Sequence, residues 1–531
     1  MLPHERVVHP SIQDREIAAP TPPVALPRLY APIQPLLAPA AAAWLGYIAF
    51  AVLLHSPAFR VYDAGLLPYG RFLRGAASAF APDVLLNATR GSTAASWLMP
   101  LSIALICAVL ASWCWAIRVA RSIDAPPLHL LLLLTVLLAA PLLLSAGLFS
   151  DDVYLYNSYG RMIAVHGVNP ILTRPSQFPA DLHLPWVHWK DLPSSYGPVW
   201  LMLSGFLSAV AGNSLTGVVI AYRLAALVVH VATATVLWSI LRRTHPREAL
   251  AGTVFYAWNP LVLVEVVGNA HNDVLVALFT VLLAGAATQR AGTRAALFAA
   301  CAVMVKPFAV LLLPPLGLLI LRQTGWRALA APMAVAALTV VALSLPFWSG
   351  ATLLSNVMSN PAARMYTNSV WELVSEGGRW FGLGAAHIQH PFLDRIRTAA
   401  FLAGALWIVA RRPSRVRPWR AALQLWVLFY LTASWVWPWY FIPAVALAPL
   451  AGRSGVVAAT ALTIGGLLFW RAWPAPTPAP VEWLFTWRSL LLFGPLFVTM
   501  ASSRARTMLL RTLGVSRRTC GTDEEPLRTA A

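Results

Sequence analysis

The 531-residue sequence is poor in charge: Asp, Glu, Lys and Arg make up 11% of it, where an ordinary soluble domain carries roughly 25%. That scarcity excludes water as the main solvent of the fold. Lysine is nearly missing. Only Lys190 and Lys306 stand among 39 basic residues, so almost every basic position is an arginine that keeps its charge at neutral pH. Cys107, Cys114, Cys301 and Cys520 show no paired metal spacing, and Cys107 and Cys114, two helical turns apart, lie about 10 Å from each other, beyond disulfide reach. There is no Walker lysine loop, no GxGxxG fingerprint and no HExxH helix, so neither nucleotide nor zinc-protease chemistry is signalled. The formal charge of +19 has no soluble, aromatic-interleaved basic domain to hold it, which excludes a nucleic-acid partner.

What is present is apolar sequence, 58% of the chain, in stretches approaching the roughly 20 residues that cross a bilayer as helix. The pattern predicts an all-α polytopic membrane protein. Spans are expected at 36–54, 97–117, 128–149, 217–241, 249–267, 274–288, 294–305, 307–321, 328–345, 396–410, 421–436, 440–451, 455–470 and 486–501, about 14 in all, with interfacial helices in the outer loops. The chain divides into a disordered cytoplasmic tail at 1–35 with no apolar signal-peptide core, a transmembrane domain at 36–501, and a basic cytoplasmic tail at 502–531.

Orientation follows from the arginines, which short cytoplasmic loops retain. Arg118/Arg121, Arg242/Arg243/Arg247, Arg290/Arg294, Arg322/Arg327, Arg411 to Arg420, Arg453 and the tail from Arg504 are all inside together only if the apolar segment 199–211 does not cross. It is therefore read as a short interfacial or re-entrant helix, and both termini are placed in the cytoplasm. The loops at 55–96, 150–216, 268–273, 347–394, 437–439 and 471–485 then face outward.

Chemistry-capable residues gather on that outer face. Ser150-Asp151-Asp152 opens a helix on which Val153, Tyr156, Tyr159 and Ile163 recur at helical spacing, predicting an amphipathic helix on the membrane surface. Its two acids either suit the positive helix N-terminus, behind a Ser150 cap, or serve as bases. Glu265, Asn269 and Asp273 share a helix face if Gly268 does not break the helix, and His271-Asn272 lie between them. An ionisable residue near membrane depth is costly and usually functional, although Asp273 also suits a helix cap. Lys306-Pro307 interrupts a long apolar stretch, placing a lysine at a bend where it either snorkels or binds an anionic headgroup; Arg223 admits the same two readings. The 347–394 loop carries Arg364, Tyr366, Asn368, Trp371 and Glu372, and Trp435-Val436-Trp437-Pro438-Trp439-Tyr440 reads as an interfacial aromatic belt.

Taken together, Ser150-Asp151-Asp152-Val153-Tyr154, Gly160-Arg161, Asn169-Pro170, Ser195-Tyr196-Gly197-Pro198, His271-Asn272-Asp273 and Lys306-Pro307 resemble the glycosyltransferase C superfamily, and most closely the bacterial polyprenol-phosphomannose-dependent α-1,6-mannosyltransferases. The catalytic loop here follows the third apparent span rather than the first, and Ile171 stands where an aromatic is expected. The resemblance implies a glycosyltransferase C-like fold in a bacterial inner membrane, with a non-cytoplasmic active site. Its donor is a polyprenyl-phosphate-linked sugar, mannose by resemblance, and its acceptor a glycan or glycolipid hydroxyl. Asp152 or Asp151 is the base of an inverting transfer. Lys306, Arg223, Arg161, His271, Asn272, Asp273, Glu265 and Tyr196 are the candidates for the donor phosphate and substrate. A divalent metal on the acids stays open. The rival reading is a lipid-linked sugar flippase or other transporter, which expects a midplane site between repeated halves with broken helices.

Overall fold

The computed structural model describes residues 33–54, 62–63, 93–145, 147–360, 365–380, 391–411, 418–472 and 488–515. Most of the expected N-terminal tail, most of the 55–96 loop, Arg364, Cys520 and most of the 471–485 loop lie outside them. The regular structure of the described residues is helical apart from one antiparallel pairing of β1 (Tyr62–Asp63) with β2 (Gly147–Leu148) and an isolated bridge between Thr367 and Trp435.

In chain order the helices are α1 (Gln34–Leu53), α2 (Thr93–Ser122), α3 (Leu128–Leu143), α4 (Asp152–Ala164), α5 (Pro198–Ala211), α6 (Leu215–Thr244), α7 (Ala249–Ala257) and α8 (Pro260–Leu263). They continue with α9 (Asp273–Thr288), α10 (Gly292–Val303), α11 (Leu313–Thr324), α12 (Ala330–Ser344), α13 (Thr352–Ser359), α14 (Val370–Trp380), α15 (Pro391–Ala410), α16 (Pro418–Thr432), α17 (Ile442–Ala451), α18 (Arg453–Ala472), α19 (Arg488–Ala501) and α20 (Ser503–Thr512).

Against the fourteen spans expected, six described helices are long and apolar enough to cross a bilayer, or seven if the pair Pro246–Ala257 and Pro260–Gly268, bent by 43°, counts as one. Six further apolar helices run 10–17 residues. Most of the difference is one of length, since at 1.5 Å per residue the shorter helices fall below the thickness of the hydrocarbon core; α15 is 20 residues long but carries Asp394, Arg395 and Arg397 near its start. α3, expected to reach Phe149, stops at Leu143. α5 is a 14-residue helix starting at Pro198. α6, one of the candidate crossing helices, runs 30 residues, opened by a Ser214 side chain that accepts from the Gly217 amide and closed by Arg242 and Arg243 in its last turn. Both ends therefore suit the helix dipole.

Two features set the position of the functional residues. α4 is not an exposed surface helix: residues 153–162 are all buried. Gly160 explains its close packing on α5, because a Cβ there would sit 2.1 Å from Ser208 Oγ and 2.2 Å from the Ser204 carbonyl. The expected shared face of Glu265, Asn269 and Asp273 is also absent. After α8 the chain makes a π-helical turn, Val264–Gly268, then a left-handed Ala270 at φ 60°, and starts α9 afresh at Asp273. A π-turn inserts a residue into the helical ladder and often marks a functional segment.

Candidate active site

Arg223, fully buried on α6, organises the base of the site. Its Nε donates to the Gly268 carbonyl at 2.9 Å, and Nη1 donates to the carbonyls of Leu143 and Ser145 at 3.0 and 2.6 Å. One guanidinium thus holds the end of α3 and the end of the π-turn side by side, satisfying carbonyls that a helix terminus leaves unpaired. The Phe149 amide adds a second tie, donating to Asn269 Oδ1 at 3.0 Å. The two acidic motifs, distant in sequence, leave this junction together.

Asp152 begins α4, with its amide donating to Ser150 Oγ at 3.2 Å; Asp151 occupies the N-cap position without a side-chain capping bond to the helix. Tyr156, one turn on, donates its hydroxyl to Asp152 Oδ2 at 3.2 Å and reaches Asn272 Oδ1 at 3.5 Å and His271 Nδ1 at 3.4 Å. Asp152 Oδ2 itself lies 3.5 Å from His271 Nδ1. Burial pushes the Asp152 carboxyl up, but the His271 hydrogen bond, the positive fields of His271 and Lys306 and the Tyr156 hydroxyl outweigh it and hold the group below its ordinary value.

Lys306 is extended at the break before Pro307, and its Nζ donates to Asp273 Oδ2 at 2.6 Å. The ammonium also lies over the rings of Tyr440 and Tyr196, 5.1 and 5.9 Å from their centroids, a favourable cation–π placement. Tyr196 reaches it because Gly197 lies against the Met304 backbone: a Cβ at 197 would be 2.0 Å from the Met304 carbonyl oxygen. The amides of Gly197 and Val199 donate to the carbonyls of Val305 and Met304.

Asp152, His271, Asn272, Asp273, Lys306 and Tyr196 therefore converge around Tyr156. Glu265 adjoins them from beneath, its Oε2 lying 3.4 Å from His271 Nε2. Within the cluster, His271 Nε2, Asn272 Nδ2 and Asp273 Oδ1 are buried without a hydrogen-bond partner. A native fold rarely leaves such atoms unsatisfied. Among the described residues no group of three or more His, Cys, Asp or Glu is arranged to hold a metal ion.

Arg161 stands apart, in a buried tie of the 150–216 loop. Its Nε donates to both oxygens of Asp181 at 2.9 Å, and Nη1 donates to Gly212 O and Asn213 Oδ1. Residues that sequence reasoning did not assign to the site are also present. Trp439 stacks on His271 with centroids 3.8 Å apart, and Trp437 stacks on Trp439 at 4.8 Å. These tryptophans were expected as a membrane belt; the Pro438–Phe441 turn instead directs Trp439 inward, where it is 5% exposed. Tyr156, read only as part of an apolar face, is four residues from Asp152, a spacing that places it beside that carboxylate.

The sequence matches the family described as alpha-(1->6)-mannopyranosyltransferase, N-terminal domain, over residues 60–322, a stretch that includes Asp152, Tyr156, Tyr196, Glu265, His271, Asn272, Asp273 and Lys306 but not Trp437, Trp439 or Tyr440. The chain resembles the bacterial α-(1→6)-mannopyranosyltransferases. It is 33% identical over 141 residues to alpha-(1->6)-mannopyranosyltransferase B of Corynebacterium glutamicum, covering 25% of this chain and 23% of that protein. To alpha-(1->6)-mannopyranosyltransferase A of Mycobacterium tuberculosis it is 31% identical over 220 residues, 39% of this chain and 41% of the relative. To the A enzyme of Corynebacterium glutamicum it is 30% identical over 196 residues, 36% and 39% respectively. The chain thus spans less than half the length of each of these curated relatives.

Proposed function

We propose that this chain is a membrane glycosyltransferase of glycosyltransferase C-like architecture that moves a mannosyl unit from a polyprenyl-phosphate carrier to an acceptor hydroxyl, with inversion. The observation that carries the reading is the convergence of Asp152, the His271-Asn272-Asp273 motif and Lys306 in one buried cluster, three of whose polar atoms have no hydrogen-bond partner. The mannosyltransferase relatives support the sugar and the reaction class.

Asp152 takes the acceptor proton as the acceptor oxygen bonds to the anomeric carbon; the C–O bond to phosphate breaks, and the polyprenyl phosphate leaves with that electron pair. A carboxylate held below its ordinary protonation range is ready as a base, and help of this kind is worth roughly 10²–10⁴-fold. Lys306 stabilises the departing phosphate, a charge that develops in the transition state. In the resting protein Asp273 supplies its counter-charge. Asn272 and Tyr196 line the same space and orient the donor. Arg223 and Arg161 act through the loops they hold rather than on the phosphate. The reading places residues 36–501 in the transmembrane unit, this cluster on the non-cytoplasmic face, and both termini inside.

Membranes carrying D152N and D151N separately, assayed for transfer of a radiolabelled mannosyl unit from a polyprenyl-phosphate donor, test the assignment. D152N is expected to lose about 10²–10⁴-fold in rate and D151N far less. Undiminished transfer by D152N would sink the base assignment. Movement of the lipid-linked sugar across vesicles by a protein that never transfers it would return the chain to the transporters.

A further inference from the structure

The base needs a fixed orientation, and one buried acid is placed to supply it from a distance. Glu265 has no exposed surface, so it touches neither solvent nor a sugar entering from the outer face. Its Oε1 accepts from Trp470 Nε1, and its Oε2 accepts from Asn269 Nδ2 at 3.1 Å. The remaining polar neighbour of Oε2 is His271 Nε2 at 3.4 Å. The opposite ring nitrogen, Nδ1, faces Asp152 Oδ2 at 3.5 Å and the Tyr156 hydroxyl at 3.4 Å. Trp439 covers the ring at 3.8 Å. The imidazole thus sits between two carboxylates, one near each ring nitrogen, with an indole stacked across one face.

We propose that Glu265 is a positioning residue that acts through His271 to aim the Asp152 carboxylate at the acceptor hydroxyl. The inference rests on Asp152 being the base. A buried carboxylate is expensive unless it is hydrogen-bonded, and Trp470 and Asn269 hold this one with its second oxygen toward the ring. The π-turn carries it there: the His271 amide donates to the Glu265 carbonyl at 3.1 Å, so the acid and the imidazole belong to one folded turn. The Glu265–His271 contact in the resting protein is close but not aligned as a hydrogen bond, a looseness common before substrate tightens an active site. A misplacement of about 1 Å at the base costs roughly 10²-fold in rate, which sets the size of the expected effect.

The test is a mutant cycle on the solubilised full-length protein, with steady-state transfer measured while the donor is varied. E265Q keeps the volume but replaces one of the two accepting oxygens with an amide that cannot accept; E265D keeps both oxygens and withdraws them by one methylene. Both are expected to lower kcat by about 10²-fold while leaving the donor KM within about twofold. H271A loses at least as much, and E265Q/H271A no more than H271A alone, because a residue acting through His271 has nothing left to act on. Thermal unfolding of each variant shows that folded protein is compared, and E265D stands in if E265Q does not survive solubilisation. Wild-type kcat in either Glu265 variant, a loss confined to KM, or full additivity with H271A overturns the proposal. An inactive D152N beside a fully active E265Q rejects this inference alone, whereas a fully active D152N rejects the reading beneath it.

Discussion

At Asp152 three neighbours decide the chemistry. Tyr156, His271 and Lys306 together outweigh burial and keep the carboxyl below its ordinary value of 3.8. A lowered value means that this carboxylate, the base of the proposed function, stays ionised as the medium is acidified and is protonated only when the pH falls through that lowered value. The rate of transfer is therefore expected to stay flat on the acid side between about pH 5 and 7. A pH–rate profile on solubilised enzyme checks this. An acid limb near the ordinary histidine range would transfer the base role to His271. The neighbouring Asp151 shows how little a doubled acid reveals by itself: the pair reads identically in sequence, and only the start of α4 directs Asp152 toward Tyr156.

At the level of elements, the site depends on three chain breaks. The π-turn and left-handed Ala270 place His271 and Glu265, the Pro307 break presents Lys306, and the Gly197 turn brings Tyr196 beside it. Of these the glycine is the most exacting, because the atom that a new methyl would meet, the Met304 carbonyl oxygen, belongs to backbone. Gly197→Ala is expected to push the 195–199 turn away from Lys306, costing about 1–3 kcal/mol as overpacking does, and to raise the donor KM. Thermal unfolding of the solubilised variant with its steady-state kinetics measures both; an unshifted melting temperature and unchanged KM would show that the turn gives way freely. The break at Lys306-Pro307 was legible in sequence, since proline cannot continue a helix. The π-turn was not, because Gly268 permits both a continuous helix and a break.

For the whole molecule, orientation in the bilayer rests on where the arginine-bearing loops lie. Arg121, His245, Glu248, Arg453 and Val515 line one recess, and Arg121 pairs with Glu248 and donates to the Leu513 carbonyl. The segments that carry Arg121, Arg247 and Arg453, three of those expected inside, thus meet at this recess with the chain near Val515. With the four native cysteines replaced by alanine, Lys190→Cys in the 150–216 loop is expected to react with an impermeant thiol reagent in intact cells. Arg243→Cys at the end of α6 is expected to react only after permeabilisation. Reaction of both without permeabilisation would remove the proposed orientation. Length limits what hydropathy alone can count: α5, α9 and α10 are apolar yet run only 14, 16 and 12 residues, and a transfer scale does not distinguish a short buried helix from a crossing one.

By itself the sequence determined the solvent and the parts. Scarce charge and recurring apolar stretches demand a helical membrane protein, since hydrocarbon tolerates no unpaired backbone, and the costly polar residues within it mark Asp152, His271, Asp273 and Lys306 as candidates. Only the tertiary structure decided which of them meet. Arg223 ties Ser145 at the end of α3, 78 residues before it, to Gly268 of the π-turn, 45 residues after it, Arg161 is committed to Asp181, and Trp439 turns inward onto His271. Those outcomes follow from hydrogen bonds and stacking between residues distant in sequence, which local periodicity cannot encode.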